Sequence, residues 1–257
     1  MKITVLGSGT SQGVPIITCD CEVCHSSDPK DRRLRTSILV ETDSTTICID
    51  AGPDFRYQML RANVKKLDAI LITHEHKDHI GGLDDARPLI FVQKKPMTVY
   101  ASLEAQEEIR REYSYAFANE DERYPGAPAF ELIDINNEPI KINDLTIEPI
   151  KLKHFTLTSY GFRIGNFAYI TDLSELSDEA FQKLFTRVYG GWIDMLRGAI
   201  FTARIRKCGR SFGRRIIGRG EYAVNLSWHI VDGLGGIRQN RQARRRRLDC
   251  SDYGLCE

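Results

Sequence analysis

The sequence predicts a layered α/β protein, on three observations about its apolar runs. Short runs rich in Ile, Val, Leu and Thr recur along the chain and are typical of β-strands. Stretches with helical periodicity separate several of these runs. Several apolar runs also end directly in Asp or His, which places polar side chains at strand ends. With 257 residues, the chain is long enough for one large domain or two modest ones.

Each element has its own signal. Helical patterning appears at 53–63 and 102–116, and a third helix begins at Ser177, where two acidic residues suit the positive end of the helix dipole. Residues 118–128, with two Pro, a Gly and four charges, predict an exposed loop. The strand-like runs lie at about 2–6, 37–42, 45–50, 67–73, 97–101, 130–134, 145–152, 158–164 and 167–171.

The composition is ordinary for a soluble globular protein, with 42% hydrophobic and 28% charged residues. The apolar runs are far shorter than the roughly 18 residues of a membrane span. The run 1–7 is also too short for the core of a signal peptide. We therefore expect a cytoplasmic protein without a membrane partner.

One loop after the run 67–73 concentrates metal-ligating side chains. It reads H-x-H-x-D-H and ends in two glycines, and it holds three of the six histidines of the chain. Imidazole nitrogen and carboxylate oxygen suit zinc, manganese and iron. In an extended segment, alternate histidines point the same way, and the following residues enter after the chain turns. The loop can thus supply two adjacent metals through His74, His76, Asp78 and His79.

This loop resembles the signature of the metallo-β-lactamase-fold hydrolases, and further elements extend the resemblance over about residues 1–186. The family fold is an αββα sandwich of two mixed sheets flanked by helices. The resemblance implies that Asp50, in the run 47–52 ending in Asp-x-Gly, orients the metal loop without binding metal. It also implies that His154, at the end of a strand, is the next ligand, and that Asp172 bridges two metals.

The resemblance further implies how the ligands are shared. His74, His76 and His154 would hold one divalent metal, and Asp78 and His79 would hold the second, with Asp172 between them. Two Zn or Mn ions about 3.5–4 Å apart would generate a hydroxide and clamp the oxygens of a phosphoester. Asp78 and His79 are therefore expected to act in catalysis.

Seven cysteines do not form a disulfide framework here, because the number is odd and three of them crowd into C-x-C-x-x-C. Cys19, Cys21 and Cys24 predict a structural zinc site that needs a fourth ligand. Together with the preceding Gly-rich loop, they resemble the branch that includes the phosphoribosyl 1,2-cyclic phosphodiesterase of phosphonate breakdown. In that branch a histidine, three residues beyond the last active-site histidine, completes the zinc site.

The charge and the choice of basic residues change near residue 186. Residues 187–257 contain 14 Arg and 1 Lys against 6 acidic residues, whereas residues 1–186 have a net charge of −8. This second segment could be a basic nucleic-acid arm, a divergent end of the fold or an out-of-frame translation. We favour the last interpretation, because the closing motifs of the family are absent. The second half of the sandwich is then incomplete.

As a result, two ligand assignments remain open: the last ligand of the second metal and the fourth ligand of the cysteine site. His229 is the only histidine after the break and is our tentative candidate for the last ligand of the second metal. Asp232, three residues later, and His25, beside Cys24, are alternatives for completing the cysteine site.

The predicted function is that of a metal-dependent phosphodiesterase acting on a small cyclic or simple phosphodiester. The cysteine cluster and the negative charge of residues 1–186 argue against a tRNA-processing-type nuclease or a thioester hydrolase of the same fold. A non-catalytic metal-binding remnant with a defective second metal site is the alternative from another class. A nucleic acid partner is not expected, and a homodimer is possible.

Overall fold

The computed structural model of the chain describes residues 1–184, except residues 120, 123 and 176 and the side chain of 181, and the backbone of 200–203, 231–232 and 236–237. The chain forms two compact units. The first comprises Met1–Gly13 and Arg33–Pro149, and the second comprises Val14–Arg32 and the chain from Ile150 onward. The proposed boundary at residue 186 and the Arg-rich segment fall almost entirely outside the described residues.

A six-stranded mixed sheet organises the first unit. The first three strands are antiparallel neighbours, and the next three continue the sheet in parallel. In sheet order the strands are β1 (Lys2–Gly7), β2 (Ser37–Glu41), β3 (Thr46–Ile49), β4 (Ala69–Leu71), β5 (Met97–Ala101) and β6 (Phe130–Asp134).

The central strands of this sheet read as continuous apolar runs because they are buried. Ser37–Val40, Ile47–Ile49 and Ala69–Leu71 are buried without alternation, as expected of strands covered on both faces. The core of the unit also includes Phe55, Leu67 and Ile72, all of which are inaccessible to solvent. The metal loop predicted from the sequence therefore leaves the sheet from its most buried part.

Four helices accompany the sheet in the first unit. They are α1 (Phe55–Arg61), α2 (Lys77–Ile80), α3 (Arg87–Gln93) and α4 (Leu103–Glu112). Ser102 caps α4, since its hydroxyl accepts the backbone N–H of Ala105 at 3.2 Å. Strand β7 (Ile140–Ile142) pairs antiparallel with the start of β8 (Leu145–His154), which continues into the second unit.

The second unit contains the end of β8, followed by β9 (Leu157–Ile164), β10 (Phe167–Thr171) and α5 (Asp178–Leu184). Strand β9 lies between β8 and β10, and it is antiparallel to β10. Strand β11 (Ile200–Ala203) pairs in parallel with β10. Two short strands, β12 (Val231–Asp232) and β13 (Gly236–Ile237), pair with each other. Ile150, Leu152, Ala168, Ile170, Ala180 and Leu184 form the apolar core of the described part of this unit.

The mixed α/β class is confirmed, with local differences at four elements. The periodicity predicts one helix over 102–116, but α4 ends at Glu112 and a single 3-10 turn follows at Ser114–Ala116. Strand β7, which has only three residues, and helices α2 and α3 are not predicted by the sequence pattern. Among the described residues, no helix is long and apolar enough to span a membrane.

Candidate metal centre

The parallel pairing of β3 and β4 brings the predicted metal loop beside Asp50. Parallel strands end at the same edge of a sheet, so the residues after β3 meet those after β4. Asp50 is fully buried there, with a left-handed backbone (φ 67°). Its Oδ1 accepts the backbone N–H of Thr73 at 2.9 Å. The loop thus begins from a fixed point at the sheet edge.

Hydrogen bonds at this edge hold two histidine rings through their Nδ1 atoms. Nδ1 of His79 lies 2.8 Å from Oδ2 of Asp50, and a carboxylate can only accept, so this nitrogen carries the proton. The Thr73 hydroxyl donates its proton to the same carboxylate at 3.0 Å. It must therefore accept from Nδ1 of His74, which lies 3.0 Å away. Both rings are thus held through Nδ1, which leaves Nε2 as the atom that binds a metal once it is unprotonated.

The spacing of the ring nitrogens fits a shared cation. Nε2 of His74 lies 3.0 Å from Nδ1 of His76, which is half exposed to solvent at the start of α2. Two ligands placed 2.0–2.1 Å from a tetrahedral zinc are about 3.3 Å apart. The rings of His74 and His79 are also neighbours, with centroids 4.1 Å apart. The donor set therefore fits a divalent cation at this loop.

Asp78 and His79 form a second pair of side chains that could bind a metal. Oδ2 of Asp78 lies 3.2 Å from Nε2 of His79. Partial burial opposes ionisation of Asp78, but the hydrogen bond and charge of His79 outweigh it and lower the carboxyl pKa to about 2. Asp78 therefore offers a carboxylate at neutral pH, as a metal ligand must.

Glycine allows the two loops at this edge to touch. A Cβ at Gly52 would lie 1.9 Å from the carbonyl oxygen of Asp78, and one at Gly82 would lie 2.0 Å from that of Gly52. Backbone bonds close the contact: the N–H of Ala51 donates to the carbonyl of His79 at 2.7 Å, and the N–H of Gly82 donates to that of Ala51 at 2.8 Å. Larger residues at Gly52 or Gly82 would separate the loops.

The second unit places His154 and Asp172 at one edge of its own sheet. His154 ends β8 and is buried, and Asp172 follows β10 with a left-handed backbone (φ 46°). A connection of two residues joins β8 to β9, so these strands are antiparallel, as are β9 and β10. Strands β8 and β10 therefore end at the same side. Oδ2 of Asp172 accepts the hydroxyl proton of Thr171 at 3.0 Å.

The three clustered cysteines also lie in the second unit. Their sulfur atoms are all within 4.8 Å of one another, which suits ligands at about 2.3 Å from one zinc. Burial opposes ionisation of Cys21, but hydrogen bonds from Cys24 and Cys19 outweigh it and lower its pKa. Burial raises the pKa of Cys24 to about 11. Nε2 of His25, the local candidate for a fourth ligand, lies 3.2 Å from Oδ1 of Asp20.

Two sequence candidates lie outside the described residues, and one contributor was missed. These candidates are His229 and the side chain of Asp232. The missed contributor is Thr73, whose hydroxyl joins Asp50 to His74. Its position directly before the first histidine was the available signal, but its contact with Asp50 depends on how β3 pairs with β4.

Comparison with known proteins identifies the family of the chain. The family described as the beta-lactamase superfamily domain matches residues 45–190, more than half of the chain. The chain belongs to this family. Its fold is accordingly that of the metallo-β-lactamases, as the resemblance of the metal loop implied. The crystal structure of a diphosphatase of the PhnP family is similar, with 41% identity, a TM-score of 0.65 and coverage of 71% of this chain and 69% of that one.

Two curated relatives are named as other kinds of enzyme. An octanoyltransferase of Porphyromonas gingivalis is 42% identical over 186 residues, which are 72% of this chain and 37% of that protein. A ribonuclease Z of Staphylococcus epidermidis is 30% identical over 172 residues, which are 64% of this chain and 49% of that enzyme. The chain therefore spans at most about half the length of these relatives. The fold family to which the chain belongs is one of metal-dependent hydrolases.

Proposed function

We propose that this chain is a metal-dependent phosphodiesterase whose natural substrate is a small cyclic or simple phosphodiester. The observation that carries the proposal is the buried hydrogen bonding behind two histidines of the metal loop. Asp50 and Thr73 hold His79 and His74 through Nδ1, which leaves both Nε2 atoms to bind a cation. A chance cluster of histidines on a loop would have no such buried support.

We assign the ligands in two groups. His74, His76 and His154 would hold one Zn or Mn ion, Asp78 and His79 would hold the second, and Asp172 would bridge them. The depressed pKa of Asp78 keeps its carboxylate charged, and the placement of His154 and Asp172 at one edge of their sheet supports their inclusion. The centre is completed by a group outside the described residues, for which His229 is the candidate.

Two bound divalent cations would activate a water molecule and stabilise the charge that develops on the phosphoester oxygens. The chain supplies the remaining requirements. Asp50 fixes the ring of His79, Thr73 fixes that of His74, and the glycines of the two loops keep the backbone in place. No side-chain nucleophile is required by this chemistry.

The similarity to a diphosphatase favours a small diphosphate as a second substrate class. The same centre could act on either a phosphodiester or a phosphoanhydride, since both develop charge on phosphate oxygens. The similarity to ribonuclease Z favours RNA as a third class. The net charge of −8 over residues 1–186 makes a long nucleic-acid footprint the weaker proposal.

The test is hydrolysis of bis(p-nitrophenyl) phosphate by the purified full chain with added Mn²⁺ or Zn²⁺. The same preparation is assayed with a cyclic ribose phosphodiester, a nucleoside diphosphate, a tRNA precursor and a glutathione thioester. We expect turnover of the phosphodiesters, abolished by His76→Ala and by Asp78→Asn. Turnover of only the thioester or only the RNA would instead support the corresponding alternative.

Asp85→Asn is the matched control for Asp78→Asn, because Asp85 follows the same loop but is exposed to solvent. It should leave turnover unchanged. A folded chain that binds metal and is stabilised by it, but hydrolyses none of these substrates, would support the non-catalytic remnant and contradict the proposal.

We also propose a structural zinc at Cys19, Cys21 and Cys24. The proximity of the three sulfur atoms and the lowered pKa of Cys21 support it. Loss of one zinc per chain in Cys21→Ser, with the remaining metal content unchanged, is the expected result of metal analysis. An unchanged zinc content would contradict this site.

A further inference from the structure

Ser174 bonds to the backbone on both sides of His154. Its hydroxyl donates to the carbonyl oxygen of Lys153 at 2.9 Å and accepts the backbone N–H of Phe155 at 2.8 Å. Its own backbone N–H donates to the same carbonyl of Lys153, also at 2.8 Å. The peptide groups before and after His154 are therefore both fixed by this one residue.

Ser174 also lies only two residues after Asp172. The short connection means that whatever fixes Ser174 limits where Asp172 can lie. Strands β8 and β10 are separated by β9, so His154 and Asp172 share no backbone ladder of their own. The backbone bridge between Lys153 and Glu175, together with the contacts of Ser174, connects the two strand ends.

The backbone at both ends requires such support. Phe155 and Asp172 have left-handed conformations, with φ of 51° and 46°. Non-glycine residues remain in this region only where surrounding contacts hold them there. The hydroxyl of Ser174 holds Phe155 directly, and its backbone N–H anchors the segment that follows Asp172.

The side chain of Glu175 adds little to this connection, because its ion pair with Lys153 is exposed to solvent. The Glu175 backbone N–H donates to the Lys153 carbonyl at 3.3 Å, and its Oε2 lies 3.2 Å from Nζ of Lys153. These two side chains are 68% and 61% exposed, and solvent screens such ion pairs. The hydroxyl of Ser174, which bonds to the peptide groups on both sides of His154, is therefore the specific element of this connection.

We propose that Ser174 is a positioning residue, which fixes His154 relative to Asp172 and thereby sets the affinity of the centre for its cations. The inference rests on the proposed function, because it requires His154 and Asp172 to be metal ligands. Contacts behind metal ligands commonly change metal affinity by about 10–100-fold. Ser174 acts through the backbone of the ligands and does not itself bind the cation.

The experiment compares three variants of the full chain. Ser174→Ala removes the hydroxyl, and Ser174→Thr retains it. Ser177→Ala is the matched control, because the Ser177 hydroxyl also makes one backbone contact in this unit, accepting the N–H of Ala180 at 3.1 Å at the start of α5. The dissociation constants for Mn²⁺ and Zn²⁺ are measured by equilibrium dialysis with metal analysis, and the thermal midpoint is measured without metal.

Ser174→Ala should raise the dissociation constant for Mn²⁺ about tenfold. Ser174→Thr should restore it to within about twofold, because the hydroxyl is the group that acts. Ser177→Ala should lower the thermal midpoint and leave the dissociation constant unchanged. The loss should thus follow the contact with His154 and not general stability.

Wild-type affinity in Ser174→Ala, or an equal loss in Ser177→Ala, would overturn the inference. If Ser174→Ala does not fold, a folded Ser174→Thr with tenfold weaker binding would overturn it as well, and one with wild-type binding would support it. A wild-type chain that binds metal but hydrolyses no phosphodiester would contradict only the proposed function. A wild-type chain that binds no metal at this centre would contradict both.

Discussion

Oδ2 of Asp50 lies 2.8 Å from Nδ1 of His79, and both side chains are completely buried. Burial raises the pKa of Asp50, although the charge and hydrogen bond of His79 oppose the shift. The pair joins the residue that follows β3 to the last histidine of the metal loop. Because neither group can be solvated when its partner is lost, each depends on the other.

Asp50→Ala should therefore destabilise the protein as well as weaken metal binding. Removing one partner of a buried pair costs about 3–5 kcal/mol of unfolding free energy. Asp50→Asn keeps the shape and should cost less, but its amide group orients His79 poorly, so metal affinity should fall about tenfold. Denaturant titration and equilibrium dialysis measure the two effects. An Asp50→Ala variant as stable as the exposed-site variant Asp85→Asn would contradict this.

Gly52→Ala should separate the two loops of the centre. The added Cβ would lie 1.9 Å from the Asp78 carbonyl oxygen, and overpacking of this kind costs about 1–3 kcal/mol. Gly165→Ala is the control: Gly165 has a left-handed backbone (φ 58°), but its Cβ would meet no atom within 4 Å. Both variants should unfold more easily, and only Gly52→Ala should also lose metal affinity. Equal metal binding by the two would show that the loop contact is dispensable.

Asp144 should stabilise the protein in a pH-dependent way. Its Oδ1 accepts the hydroxyl protons of Thr42 at 2.9 Å, Ser44 at 2.7 Å and Thr45. The bond from Thr45, with those from Ser44 and Thr42, lowers the Asp144 pKa from 3.8 to about 2. Because the folded-state pKa is the lower one, the stabilisation is complete above the unfolded value and disappears as the pH falls to about 2.

Thermal midpoints of the wild type and Asp144→Asn test this directly. The wild type should be the more stable at pH 7, and the difference should shrink between about pH 4 and pH 2. A difference that stays constant over this range would mean that the carboxylate charge is not involved. The metal-free protein is used, so that loss of metal ligands by protonation does not contribute.

The cysteines should differ sharply in reactivity. Burial raises the pKa of Cys48 to about 12, and the side chain is inaccessible to solvent, so it should resist iodoacetamide. The three clustered cysteines are partly exposed and should react in the metal-free chain. Bound zinc should protect them. Peptide mass mapping, with and without a chelator, distinguishes the groups; rapid alkylation of Cys48 in the folded chain would contradict its buried position.

The sequence predicted the strands at the centre of the fold because their apolar runs are long and uninterrupted. It did not predict β7, since the three residues Ile140–Ile142 are too few to define a period. Helix α3 was missed because the run Leu89–Val92 is rich in residues that favour strands, although Pro88 suits the first turn of a helix. Tertiary packing overrides these local preferences.

Part of the candidate site was likewise predicted from the sequence, and part of it was not. The types and spacing of the donors in the metal loop were visible in the sequence, and so was the family to which the loop belongs. The way in which the rings of His74 and His79 are held was not, because it depends on Thr73 and Asp50, which are 23 positions apart in the chain. The connection through Ser174 was hidden for the same reason: it joins residues 19 and 21 positions apart.

The backbone bonds that join Ala51 to His79 and to Gly82 have a consequence for how a cation would be captured. They join the segment after β3 to the metal loop after β4, so the backbone of the loop is held in place at the end of the sheet. The conformational entropy of the loop is then lost when the chain folds, before any ion arrives. Amide hydrogen exchange in this loop should therefore be slow even in metal-free protein, and metal uptake should be fast and change the backbone little.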